Sequence, residues 1–218
     1  NSIECPGHFG HIELADPVFH MGYIQTVKNI LSCICLRSSK LLTYKNEKAI
    51  DEIVKNKNGK HRFVAIKKLC QNVTVSNTGI PVPKIKQETK KNTAVIQMIA
   101  EYNLSNSSNQ QENPDFEGRK KIREILTPSD VYNILKNIID EDWRTLGFNP
   151  EINRPENFII KNYPVPPVAI RPSIKADFLA AQNYEDTLTH KLADIVKCNI
   201  RIRKQKEKDK DIGEVSKY

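Results

Sequence analysis

Six of the twelve prolines in this 218-residue chain fall between positions 150 and 172, at Pro150, Pro155, Pro164, Pro166, Pro167 and Pro172. A locked φ and a missing N–H exclude a continuous helix across such a run, and the residue before each proline is steered toward extended backbone. The segment is therefore expected to be extended. It separates a mostly helical stretch before it from one final helix after it.

Ahead of that segment the apolar spacing changes character several times. From Val18, the positions Tyr23, Val27, Ile30 and Ile34 predict a helix with one buried stripe. A second helix is predicted over Glu47 to Val54, closed by Lys57-Asn58-Gly59, where glycine can take a left-handed cap. A third is predicted around Phe63, Ile66, Leu69 and Cys70. Between Val73 and Ile85, apolar and polar residues alternate around Gly79 and two prolines, the pattern of short strands and turns. Residues 103–118 form a polar tract without a core anchor, expected to be a disordered loop. Thr127-Pro128-Ser129-Asp130 is a helix start with Thr127 as cap, Pro128 in the first turn and Asp130 closing a capping box. Val131, Ile134, Leu135, Ile138 and Ile139 are expected to face inward. The final helix starts near Asp186-Thr187 and is expected to bury Leu188, Leu192, Ile195 and Ile202. Its far end is basic, with Arg201, Arg203, Lys204, Lys206, Lys208 and Lys210.

Charge points to a polyanionic partner, nucleic acid first: the formal net charge is +8 and the calculated pI about 9.2. Three clusters carry the excess. One is Lys55, Lys57, Lys60, Arg62, Lys67 and Lys68; another is Arg119, Lys120, Lys121 and Arg123; the third is the end of the last helix. Cations on a wall attract phosphates without reading sequence, because every base carries the same phosphate charge. For any single lysine a solvated face is the simpler account. Five irregularly spaced cysteines predict a reducing compartment rather than a disulfide scaffold. No apolar run is long enough to cross a bilayer, and no signal-peptide pattern is present, so no membrane partner is expected.

The chain opens on Cys5-Pro6-Gly7-His8. Zinc takes four ligands in a tetrahedron, and Cys-x2-His supplies two of them. A chain that begins this way is expected to be part of a longer protein.

Three blocks together resemble the largest subunit of multisubunit DNA-directed RNA polymerases near its amino terminus, most closely the eukaryotic polymerase II type. The first is Glu4-Cys-Pro-Gly-His-Phe-Gly-His-Ile-Glu-Leu14, continuing through Pro17-Val-Phe-His20. The second comprises Leu146-Gly-Phe-Asn149, Arg154-Pro-Glu156, Pro164-Val-Pro-Pro167 and Ile170-Arg-Pro-Ser-Ile174. The third is Asp186 followed by Leu188-Thr-His-Lys-Leu-Ala-Asp-Ile-Val-Lys197. Order and spacing agree across nearly the whole chain; residues 40–125 match only loosely.

The resemblance implies a clamp module that closes over DNA and the RNA–DNA hybrid in a cleft. It implies an α+β fold, mainly helical with short strands and a loop-rich head, as one piece of a larger multidomain subunit. Residues 1–25 and 160–218 correspond to clamp core, and 26–159 to clamp head. The last helix resembles one arm of the clamp coiled coil, where Arg201, Arg203 and Lys204 would meet initiation and elongation factors. Other polymerase subunits, including the second-largest, are implied partners, and the nucleus is the implied location. Cys5 and His8 match two ligands of a zinc site whose other pair would lie upstream. A second family zinc site, in the head, falls on Cys35, Ser38, Ser76 and Thr78. Hydroxyls are poor zinc ligands beside thiolates, so this site is expected to be lost. Cys33, Cys35 and Cys70 are then reduced, packed residues, with Cys70 the alternative ligand if the loop is rearranged. The catalytic magnesium of the parent enzyme would be held by aspartates outside this chain; Asp140-Glu141-Asp142 has the wrong context and reads as a solvated helix end. Arg171 reads as a structural ion-pair partner. Alternatives are the same region of polymerase I or III, or a stand-alone basic adaptor that binds protein partners through its last helix.

Overall fold

The computed structural model describes residues 4–42, 47–89, 96–103, 121–175 and 183–215. In chain order the elements are β1 (Gly10–Phe19), α1 (Ile24–Leu31), α2 (Glu47–Asn56), α3 (Gly59–Cys70), β2 (Lys84–Thr89), β3 (Ile96–Asn103), β4 (Lys121–Leu126), α4 (Pro128–Lys136), α5 (Asp140–Thr145), β5 (Ile159–Val165), β6 (Ile174–Lys175), β7 (Asn183–Tyr184) and α6 (Thr187–Val215). Helices and antiparallel strands occupy separate stretches, an α+β architecture. The contacts divide the chain into two units: Phe19–Ile159, and Asn1–Val18 together with Ile160–Tyr218.

Phe19–Ile159 is built on an apolar cluster. Helix α1 contributes Ile24, Val27, Ile30 and Leu31, and α4 contributes Val131 and Leu135. Trp143 of α5 is fully buried and stacks on Phe148, with ring centroids 4.2 Å apart and planes 10° off parallel. Phe63 of α3 meets the same Phe148 edge-on at 5.2 Å. The indole N–H is not wasted in this setting: Nε1 donates to the Asn153 carbonyl at 2.9 Å. Strands β2, β3 and β4 form an antiparallel sheet in that order, with Ile85 opposite Ala100 and Ile99 opposite Ile125. Alternation places Met98 and Ala100 in the core, while Ile125 on the edge strand is exposed. Glu101 in the centre strand is buried and ion-paired with Lys86 of β2. The capping box of α4 is present, with Asp130 N–H donating to Thr127 Oγ1 and Thr127 N–H donating to Asp130 Oδ2, both at 3.2 Å.

Several expectations require correction. Val18 belongs to β1, and α1 begins only at Ile24. Ile34 is buried but lies beyond the helix, in an isolated bridge with Leu41. Ile139 does not face inward: α4 ends at Lys136, and Ile139 becomes the residue before α5 with its side chain 50% exposed. The strand pattern predicted for residues 73–85 yields a bridge between Val75 and Pro81, then β2 from Lys84. The polar tract, from residue 104 onward, lies outside the described residues.

The other unit is assembled differently. β1 pairs with β5, so the proline-rich segment is extended as its composition requires. β6 and β7 form a short antiparallel pair. Among the described residues of this unit only Leu192 and Asn199 are buried. Ile202 stands 39% exposed, against expectation. Helix α6 is instead fastened to β1 by polar side chains. Asn199 Nδ2 donates to the Glu13 carbonyl at 2.7 Å, and its Oδ1 accepts from Ala15 N–H at 2.5 Å. A side-chain amide has the donor and acceptor of a peptide group, so Asn199 meets the edge of β1 much as a neighbouring strand would. Arg203 donates to the Glu13 carbonyl at 3.0 Å, and Lys206 pairs with Asp16 and donates to the Ala15 carbonyl.

Candidate metal centre and nucleic-acid interface

Cys5 and His8 sit on an exposed turn, with Sγ and Nε2 3.8 Å apart. A tetrahedral zinc with about 2.3 Å to sulfur and about 2.0 Å to nitrogen sets two such atoms roughly 3.5 Å apart. The pair is thus placed as two corners of one site. Gly7 makes this turn possible. Its φ of +86° is a left-handed conformation, and a Cβ there would come within 2.5 Å of the Pro167 side chain. No group of three or more possible metal ligands occurs among the described residues. These two residues fit half a centre.

The second set of positions, Cys35, Ser38, Ser76 and Thr78, lies within Phe19–Ile159. Ser76 Oγ lies 2.9 Å from Thr78 Oγ1. Burial pushes the Cys35 thiol up, but hydrogen bonds from Ser38, from the Arg37 backbone and from Ser76 outweigh it, leaving the group below its ordinary value. One thiol and three neutral hydroxyls do not fit zinc. Cys33 and Cys70 lie elsewhere in the core, in contact with each other. Cys33 donates to the Asn29 carbonyl at 3.2 Å and Cys70 to the Leu42 carbonyl at 3.6 Å. The hydrogen bond with Cys70, together with burial, holds Cys33 in its thiol form.

The first basic cluster surrounds α3. Lys55, Lys57, Lys60 and Lys68 are exposed, and Lys67 is half-buried. Lys57, Lys60 and Lys68 border a concavity of about 690 Å³, and Lys60, Lys67 and Lys68 border one of about 540 Å³ floored by Phe63 and Phe148. Arg62 is used otherwise. Its guanidinium donates to the carbonyls of Val54 (3.0 Å), Lys57 (2.8 Å) and Arg144 (3.2 Å) and to Asn58 Oδ1 (2.9 Å), which ties α2, α3 and α5 together. Sequence gives no sign of this commitment, because spacing does not reveal which cation faces its own backbone. In the second cluster Arg123 pairs with Glu88 at 3.4 Å and Lys121 begins β4, whereas Arg119 and Lys120 lie outside the described residues. On α6, Arg201 and Lys204 are exposed and Arg203 is engaged with β1.

Arg171 braces its own unit through hydrogen bonds, and no ion pair to it occurs among the described residues. Nε donates to the Pro166 carbonyl at 3.0 Å and a terminal nitrogen to Thr189 Oγ1 at 3.3 Å. The acidic triplet opens α5, where negative charge suits a helix start. Asp140 pairs with Arg154, and Asp142 accepts from Leu41 N–H at 3.1 Å. Burial raises the Asp142 carboxyl above its ordinary value, against the lowering effect of that hydrogen bond. No helix among the described residues is long and apolar enough to cross a membrane.

One unit thus carries a basic face around α3, and the other carries two residues spaced as metal ligands. Residues 1–217 match the family described as RNA polymerase Rpb1, domain 1, and the chain belongs to that family. It is 47% identical over 208 residues to the DNA-directed RNA polymerase subunit 1 of Acanthamoeba polyphaga mimivirus. That match covers 94% of this chain and 14% of the relative, so the chain spans about one seventh of the protein it resembles.

Proposed function

We propose that the chain is the clamp region of the largest subunit of a DNA-directed RNA polymerase, of polymerase II type, and that it holds DNA and the RNA–DNA hybrid by charge alone. The observation that carries the reading is the family match across residues 1–217. Phe19–Ile159 is the head, and the unit of β1, β5 and α6 is the core with its coiled-coil arm. Lys55, Lys57, Lys60, Lys67 and Lys68 supply cations for phosphates, and Arg62 stays with the fold. Two features support this division of labour: the lysines border open concavities, and the arginine is saturated by carbonyl acceptors. A polymerase has to pass over every sequence, so contacts to phosphate without base readout are the appropriate chemistry. Arg154-Pro155-Glu156, in which Arg154 also pairs with Asp140, is one of the blocks that favours type II over types I and III. Other polymerase subunits and transcription factors complete the assembly, and a nuclear location goes with the polymerase II reading.

Cys5 and His8 would hold zinc jointly with two donors from elsewhere in the full-length subunit. Bound there, the ion cross-links backbone segments and contributes folding free energy. Nucleotidyl transfer and its magnesium belong to other parts of the enzyme.

The test is DNA binding by the chain as a function of salt. Log K should fall linearly with log salt and be indifferent to sequence. The combined change Lys60→Glu, Lys67→Glu and Lys68→Glu should flatten the slope by about 2–3. Binding that ignores salt, or that survives this charge reversal unchanged, removes the phosphate-tracking role.

A further inference from the structure

Helix α3 carries its cations beside an apolar floor. Residues at four-residue intervals share one side of a helix. On α3 that spacing joins Lys60, Val64 and Lys68 in one row and Phe63 with Lys67 in the next. Charge and apolar surface therefore alternate along both rows. The groove of about 540 Å³ beside them is lined by α1, α3 and residues 147–148. Its size lies within the range of ligand pockets, about 300–1,000 Å³. Phe63 and Phe148 form its floor, and Val64 borders it with 43% of its surface exposed. Lys60, Lys67 and Lys68 border the same space. Among the described residues that line the groove there is no carboxylate.

A cationic lip over an apolar floor suits an amphipathic anion. Phosphates alone satisfy the lip and leave the floor wet. Two polymers supply both parts: a single strand of nucleic acid with its bases, and an acidic protein segment with one large apolar side chain. A base needs a free ring face to stack on. One face of Phe148 is taken by Trp143, with centroids 4.2 Å apart and planes 10° off parallel, and Phe63 meets the ring at 65°. Phe63 is itself only 8% exposed. The floor is therefore close-packed ring carbon rather than an open stacking platform. Such a surface takes an apolar side chain through buried area, with no stacking geometry required. Lysine ammoniums act as mobile point charges, which suits carboxylates spread around that side chain.

We propose that this groove docks a partner protein through an acidic segment, which inserts one aromatic side chain against Phe63, Phe148 and Val64 while its carboxylates meet Lys60, Lys67 and Lys68. The proposal goes beyond the nucleic-acid reading and does not rest on it. The same ammonium groups cannot serve phosphate and carboxylate at once, so a seated segment excludes nucleic acid from this part of α3. The two readings separate at Val64, which an electrostatic phosphate contact does not use and the docked side chain does.

The whole 218-residue chain is titrated with the fluorescein-labelled peptide Glu-Asp-Glu-Phe-Glu-Asp-Glu, and binding is read by anisotropy at one fixed salt concentration. The same peptide with alanine in place of phenylalanine should bind about 10- to 100-fold more weakly, the ratio expected for burial of one such side chain. Val64→Gln, at an exposed helix position, should shrink that ratio, and Thr26→Trp, which fills the groove from α1, should abolish it. The combined change Lys60→Glu and Lys68→Glu should weaken both peptides alike. An oligothymidylate of about ten nucleotides should bind the parent and Val64→Gln equally. Equal binding of the two peptides overturns the proposal and leaves a solvated basic face. So does the absence of saturable binding up to about 1 mM of the phenylalanine peptide. A ratio that Val64→Gln and Thr26→Trp both leave intact also overturns it, because the aromatic side chain then sits elsewhere. Oligothymidylate that loses affinity on Val64→Gln overturns it as well and makes the groove a pocket for bases. Should Thr26→Trp fail to fold, Val64→Gln decides alone, and an unchanged ratio rejects the docking site.

Discussion

Phe19–Ile159 buries Trp143, Phe63 and a set of aliphatic side chains in one cluster, whereas the unit of Asn1–Val18 with Ile160–Tyr218 buries, among its described residues, Leu192 and Asn199, and secures α6 through side chains that reach backbone groups of β1. Burial of apolar area is non-directional and accumulates over many contacts. A hydrogen bond contributes about 0.5–1.5 kcal/mol net, and only while its geometry is kept. The first unit is thus specified by which residues are apolar. The second is specified by where a few polar groups point, and it leaves Phe9 70% exposed and Val168 and Ile170 more than half exposed.

The largest effect should come from the centre of the first unit. Trp143→Ala removes the ring that stacks on Phe148 and the donor to the Asn153 carbonyl. Loss of a buried tryptophan costs about 3–5 kcal/mol. Chemical denaturation followed by far-ultraviolet circular dichroism should show the transition of this unit moving to much lower denaturant. A loss below about 1 kcal/mol would mean that Phe63, Phe148 and Phe158 close the gap, and that the unit is less like a single packed cluster than its contacts indicate.

In the second unit the corresponding change is polar. Asn199→Ala strands the Ala15 N–H and leaves the Glu13 carbonyl with Arg203 as its remaining side-chain donor, and it should cost about 1–3 kcal/mol locally. Amide exchange at Ala15 is the direct measurement, since that N–H loses its acceptor; protection should fall by about 5- to 100-fold. Arg203→Ala, which removes an exposed donor to the same Glu13 carbonyl, should have a smaller effect. If Leu192→Ala loosens β1 more than Asn199→Ala does, apolar burial governs this unit too and the contrast collapses.

The contrast also explains what could be read from the chain. Helix α4 was legible because Thr127, Pro128 and Asp130 act locally, each on backbone within one turn. The extended course of β5 was legible for the same reason, since proline restricts its own φ. The sheet of β2, β3 and β4 was not, apart from its first strand: pairing Ile99 with Ile125 depends on residues far apart in sequence. The start of α1 was misplaced because the apolar spacing continues into Val18, which β1 uses as a strand position. At the candidate sites, the short Cys-x2-His spacing pointed to Cys5 and His8, whereas Ser38, Ser76 and Thr78 entered only through the resemblance to the family and not through their residue type. Residue type could not distinguish Arg62, bonded to four acceptors, from Lys60, open to solvent. Both are cations in one helix, and only the surrounding carbonyls separate them.

The smallest predicted effect tests a polar tie inside the apolar unit. Asp142 is half-buried and fixes the Leu41 backbone, so at this point the apolar unit uses the kind of contact that dominates around α6. Burial raises its carboxyl above the ordinary aspartate value of 3.8, and Glu141 adds to this, while the Leu41 N–H and Lys40 oppose it. A raised folded value means that the native state binds the proton more readily than the unfolded chain does. The favourable contribution is therefore complete below pH 3.8 and is lost as pH rises through the folded value. Asp142→Asn keeps an acceptor for Leu41 N–H but cannot ionise. Melting midpoints read from Trp143 fluorescence should give a variant-minus-parent difference that grows over that interval and then stays level. A difference that shrinks with rising pH would mean that the N–H of Leu41 and the charge of Lys40 outweigh burial. In that case the carboxylate would stabilise Phe19–Ile159 as a directional polar link, and this unit would resemble the α6 unit more closely than its core suggests.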